Sequence, residues 1–98
     1  MSVYSKEVVI TNPLGIHARP STLIVKKATE LGNHGVFLEK KNWPGMKADP
    51  MSIMPIMMLA ASVGETIIVS TKENSDQARH AVDALAELID SGFGEAYT

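Results

Sequence analysis

The sequence predicts an α+β two-layer domain: one antiparallel sheet covered on one face by helices, in the order β-α-β-β-α-β-α. Three observations predict it. Runs rich in β-branched residues, roughly alternating in polarity, recur early, midway and late in the chain. The stretches between them carry helical spacing instead. The chain has 98 residues, too few to divide into several cores, so residues 1–98 read as a single domain.

From Val3 to Thr11, one parity holds Tyr4, Lys6, Val8 and Ile10 and the other holds Ser5, Glu7, Val9 and Thr11, which predicts a strand. Asn12-Pro13-Leu14-Gly15 ends it in a turn. Ser21, Ile24, Val25, Ala28 and Leu31 then fall at i, i+3, i+4, i+7 and i+10, one stripe of a helix. Pro20 suits the first turn, where a missing N–H costs nothing, and Gly32 closes the helix. Val36–Lys40 is a second strand, and Asn42-Trp43-Pro44-Gly45 turns the chain back. A short strand is expected around Met46 to Ala48. Ser52 is the expected N-cap of a helix from Ile53 to about Ala61, with Pro55 in its first turn. Glu65–Thr71 is a third strong strand. Asn74 followed by Gln77 resembles a capping box. Ala78, Ala81, Val82, Leu85, Leu88 and Ile89 make the longest amphipathic helix, ended by Gly92.

Composition narrows the function. The chain is 45% hydrophobic and 20% charged, which excludes disorder. Nine basic and eleven acidic residues leave a net charge of −2, too little positive charge for a nucleic-acid binder. Cysteine is absent, so disulfide scaffolds and thiolate metal sites are excluded. No histidine or carboxylate spacing suits a metal, no glycine-rich phosphate loop is present, and neither metal nor cofactor is expected. The polar start shows no secretory signal. The most apolar run, Ile53 to Val63, is broken by Pro55 and Ser62 and falls short of the roughly 20 residues of a membrane span. The expected compartment is the cytoplasm.

Three places carry candidate chemistry. Gly15-Ile16-His17-Ala18-Arg19-Pro20 joins a turn to a helix N-terminus, where free N–H groups and the dipole favour an anion. Imidazole is a nucleophile near neutral pH, and Arg19 offers a guanidinium fork for phosphate. A phosphoryl group on His17 and an ordinary surface histidine in a turn both fit this spacing. The second is the apolar run after Met51. If Ile56, Leu59, Ala60 and Val63 face inward, then Ile53, Met54 and Met57 face outward together, as a Met-rich docking patch or as further core. The third is Ser52, either a regulated serine or only a cap. His34, between two glycines, and His80, on the long helix, are weaker candidates.

Asn12-Pro13-Leu14-Gly15-Ile16-His17-Ala18-Arg19-Pro20 resembles the active-site signature of the HPr family, the histidine-containing phosphocarriers of the bacterial phosphoenolpyruvate-dependent phosphotransferase system. Ser52-Ile53-Met54 with Met57 resembles that family's regulatory-serine helix. The similarity runs from Val3 to about Ile89. It implies an open-faced β-sandwich, a four-stranded antiparallel sheet with three helices on one face. It implies a stoichiometric phosphoryl carrier and not an enzyme in the turnover sense. His17 would be phosphorylated at Nδ1, Arg19 would neutralise the phosphate, and Ala18 and Pro20 would start the helix. Enzyme I would be the donor and enzyme IIA domains of sugar permeases the acceptors, meeting a monomer at Ile53, Met54 and Met57. Ser52 matches the serine modified by HPr kinase/phosphorylase. The chain departs from the family's pattern in Met51, where lysine is usual, in Pro55, where glycine is frequent, and in a longer Asn42–Pro50 segment. A carrier of a regulatory, nitrogen-related branch would share the same site. From another class, a ligand-binding regulatory domain without covalent chemistry is the alternative.

Overall fold

The computed structural model describes residues 2–95. Its elements are β1 (Tyr4–Val9), α1 (Ala18–Leu31), β2 (Val36–Lys40), α2 (Ile53–Met58), β3 (Thr66–Thr71) and α3 (Asp76–Asp90), followed by a tight turn over Gly92–Gly94. The sheet order is β1-β3-β2, antiparallel throughout, with Val8 opposite Ile67 and Leu38 opposite Val69. Strand β3 is central and carries Ile67 and Val69, both fully buried, toward the helices. Ile24 of α1, Ile56 of α2, and Val82, Leu85 and Ile89 of α3 complete one core with them. None of the described helices is long and apolar enough to cross a membrane.

The fold class expected from the sequence is the one found, with one strand fewer. The Met46–Ala48 strand is reduced to a single bridge, in which Leu38 and Ala48 exchange backbone hydrogen bonds of 2.9 and 2.7 Å. The next rungs on either side are closed. Pro50 has no N–H to donate, and the carbonyl of Lys40 already accepts from Trp43 N–H in the turn, at 3.0 Å.

Helix α2 ends at Met58, short of the expected Ala61. Leu59 and Ala61 are both buried, which two residues apart a helix does not permit. The chain therefore leaves the helix through i→i−3 hydrogen bonds from Leu59 and Ala60 N–H, and Ala60 takes φ +49°. As a result Ile56 and Leu59 point inward as expected, whereas Ala60 and Val63 face solvent and Ala61 takes the inner position. The α3 cap also shifts by one. Ser75 Oγ accepts from Ala78 N–H at 3.0 Å, because Asn74 Oδ1 is occupied by Arg79 at 2.9 Å.

Candidate functional site

Gly15 turns the chain into the site. Its φ is +66°, and an added Cβ would lie 2.3 Å from the Ala61 carbonyl oxygen, so only glycine fits. The Ile16 N–H donates to that same carbonyl at 2.9 Å. The loop before α1 is thereby stitched to the residues that follow α2.

His17 comes next, in an extended conformation at the N-cap of α1, and its side chain makes no capping hydrogen bond. Its carbonyl accepts from Ser21 through N–H at 3.0 Å and Oγ at 2.8 Å. No acidic residue stands in the first turn. The positive end of the helix dipole at Ala18 and Arg19 thus meets no compensating charge from α1 itself. Pro20 sits in that turn and is buried, and it takes no N–H from the helix ladder.

The compensating charge comes from the other end of the chain. Glu95 Oε2 lies 2.9 Å from His17 Nε2 and 3.4 Å from Arg19 Nη1. Asn12 Nδ2 donates to Glu95 Oε1 and to the Gly15 carbonyl, both at 2.7 Å. Asn12 is fully buried, and its Oδ1 finds no hydrogen-bond partner among the described residues. The Asn12 hydrogen bond does most to hold the Glu95 carboxyl below the usual carboxylate range; burial opposes it, and His17 and Arg19 reinforce it.

The Gly92–Gly94 turn delivers Glu95 to this place. Phe93 adopts φ +59° so that its ring enters the core, while its carbonyl accepts from Arg19 Nη1 at 3.2 Å. The His17 ring is 35% exposed, and its Nδ1 makes no hydrogen bond to any described residue. A part-exposed imidazole, a guanidinium and an open helix N-terminus together suit a nucleophile that accepts an anionic group.

The other sequence candidates lie elsewhere. Ile53, Met54 and Met57 are 42%, 69% and 42% exposed on α2, joined by Met58, while Leu14 projects from the loop before His17. Ser52 occupies the N-cap position of α2, but its side chain makes no capping hydrogen bond. Asp49 organises that entry instead, with Oδ1 accepting from Met51 N–H at 2.9 Å and its carbonyl accepting from Ser52 N–H at 3.1 Å. His34 is tied to Glu73 through Nδ1 and to the Leu31 carbonyl through Nε2, both at 3.1 Å, and His80 is exposed on α3. Among the described residues no three histidines or carboxylates gather where a metal ion would fit.

Sequence reasoning did not single out Glu95 or Met58 as site residues, and it named Asn12 and Leu14 only within the turn and the signature, without roles of their own. Asn12 was legible as a turn residue and as the first residue of the resembling signature, but not as a buried anchor for a distant carboxylate. Glu95 gives no local signal, because its contact with His17 spans 78 positions.

The family model described as the PTS HPr component phosphorylation site matches residues 4–91. The phosphocarrier protein HPr of Cupriavidus necator is 40% identical over 90 residues, covering 92% of this chain and 94% of its own. The phosphocarrier protein NPr of Shewanella violacea is 31% identical, covering 98% of this chain and 99% of its own. The crystal structure of HPr-C-His from Thermoanaerobacter tengcongensis superposes with a TM-score of 0.80 at 35% identity, covering 97% of this chain and all of that one. With the matched region spanning His17, Arg19 and the α2 patch, the chain belongs to the HPr family of phosphocarriers.

Proposed function

We propose that the chain acts as a single domain over residues 1–98, relaying a phosphoryl group from phospho-enzyme I, through Nδ1 of His17, to enzyme IIA domains in sugar uptake and its regulation. The observation that carries this reading is the ring of His17. It stands at an uncapped helix N-terminus, partly exposed, with Nδ1 unengaged by any described residue and Arg19 beside it. Arg19 neutralises the incoming charge, and Ala18 and Pro20 set the helix start. Ile53, Met54 and Met57, continued by Met58, form the apolar centre that both partners cover. A small apolar patch suits partners that must separate after each transfer. The protein works stoichiometrically, as a monomer in the cytoplasm.

Incubation with enzyme I and phosphoenolpyruvate tests this reading. The intact mass should rise by one acid-labile phosphate, and an unchanged mass would favour the non-covalent regulatory domain. The NPr relative supports a second reading, a nitrogen-related branch. Comparing enzyme I of the sugar system with its nitrogen-system counterpart separates the two, and the faster donor identifies the branch.

Ser52 is the proposed target of HPr kinase/phosphorylase. A phosphate there adds about −1.5 to −2 charge beside Ile53 and Met54 and would repel acidic partner groups. It supports this reading that Ser52 starts α2 with its side chain unused as a cap. Phosphoserine in protein from native cells, with slower transfer to Ser52→Asp than to Ser52→Ala, is the expected result.

A further inference from the structure

We infer that Met54, Met57 and Met58 form a reversible sulfoxidation site, through which a peroxide switches off docking at α2. This rests on the reading of α2 as the docking surface and deepens it.

The chain concentrates its sulfur in one place. It has six methionines and no cysteine, so thioethers are the only sulfur that a two-electron oxidant meets. Four of the six, Met51, Met54, Met57 and Met58, lie in one run from just before α2 to its end. Their exposures are 36%, 69%, 42% and 58%, whereas Met46 is packed against the core. Met57 and Met58 follow Met54 by three and four positions, so the three are neighbours on the helix surface. The core contact of α2 is made by Ile56, with Leu59 just beyond the helix, and both are fully buried. Oxygen can therefore be added to all three exposed sulfurs without disturbing that packing. The patch then carries polar groups at its apolar centre, where a partner has to cover them.

The chemistry balances in both directions. A lone pair of the methionine sulfur attacks one oxygen of hydrogen peroxide, forming the S–O bond as the O–O bond breaks. The proton of the attacked oxygen passes to the departing hydroxide, which leaves as water. Sulfur is oxidised by two electrons and the peroxide is reduced by two. A thiol-dependent sulfoxide reductase reverses the change: two thiols supply two electrons and two protons, the sulfoxide oxygen leaves as water, and a disulfide forms on the reductant. His17 and Arg19 take no part, so oxidation weakens the encounter with a partner and leaves the phosphoryl chemistry intact.

For the test, hydrogen peroxide is added to the chain alone and removed before phospho-enzyme I is supplied. Peptide mapping by mass spectrometry should find added oxygen on Met54, Met57 and Met58 before Met46. Transfer at limiting phospho-enzyme I should slow about tenfold, equivalent to about 1.4 kcal/mol of lost contact, with a much smaller change at saturation. Methionine sulfoxide reductases for both epimers, with a thiol reductant, should restore the rate. The triple variant Met54→Leu, Met57→Leu, Met58→Leu should transfer after peroxide at the same rate that it shows before treatment. Oxidation of Met46 as early as the α2 methionines, an unchanged rate in the α2-oxidised chain, or equal slowing in the triple variant would overturn the inference. If the untreated chain accepts no phosphoryl group, the carrier reading fails. The sulfoxidation site then stands if peroxide shortens retention on a hydrophobic-interaction column in the native chain but not in the triple variant, and it falls otherwise.

Discussion

Helices α1 and α3 are nearly equal in length, 14 and 15 residues, and both bury a stripe in the same core. Their N-termini are finished in opposite ways. At α3, Ser75 caps the Ala78 N–H, Asp76 supplies negative charge to the first turn, and Arg79 pairs with Asp76 at 2.6 Å. Every element of that start comes from neighbouring residues and serves stability. At α1, the N-cap residue is His17, whose ring caps nothing, and the first turn holds no acid. The charge that answers it arrives from Glu95, 78 positions away. A helix start closed by its own sequence is a structural feature. One left open, and served by a distant carboxylate on side chains only, is free to receive a ligand.

Substitutions at the two starts should therefore separate activity from stability. Arg19→Ala should slow phosphoryl transfer about 100-fold, the scale of losing one donor aimed at developing charge, with the melting temperature nearly unchanged. Gly15→Ala should destabilise the fold by about 2–3 kcal/mol, since its Cβ would collide with the Ala61 carbonyl at a positive φ; thermal unfolding measures it. Ser75→Ala should cost about 1 kcal/mol, the usual worth of an N-cap, and leave transfer unchanged. Loss of transfer in Ser75→Ala, or a large fall in stability in Arg19→Ala, would break the comparison.

The smallest effect is a shared dependence on pH. Glu73 lies below the usual carboxylate range, first because Ser75 donates to it and then through His34, and Glu95 lies low chiefly because of Asn12. A carboxyl whose folded value is depressed binds its proton more readily in the unfolded chain. Its stabilising contribution is thus complete above about pH 5 and fades as the pH falls through the folded value. Urea unfolding between pH 6 and about pH 3 should show less acid loss in Glu73→Gln and Glu95→Gln than in the native chain.

How much of this was readable in the sequence depends on how local each feature is. The strands and long helices follow from periodicity, because Ile67 and Val69, or Val82, Leu85 and Ile89, repeat their burial at the spacing of the element. His17, Arg19 and Pro20 fall within four consecutive positions at one helix start. The failures are competitions between near-equal local options. Asn74 and Ser75 are both good caps, and the fold chose Ser75 once Asn74 turned to Arg79. Pro50 and the Trp43 turn stopped a fourth strand that its side chains allowed. Burial of both Leu59 and Ala61 cut α2 short. The partnership of Asn12 with Glu95 was illegible for a different reason: it exists only after the Gly92–Gly94 turn brings Glu95 back to the start of α1.

If the open start of α1 is where the phosphoryl group lands, the phosphate must sit on His17 and nowhere else. Native chain, His17→Ala, His34→Ala and His80→Ala are each incubated with enzyme I and phosphoenolpyruvate and weighed by intact mass spectrometry at neutral pH. One acid-labile phosphate is expected on the native chain and on the His34→Ala and His80→Ala variants, and none on His17→Ala. An acid-labile phosphate that persists in His17→Ala would place the chemistry away from the helix start.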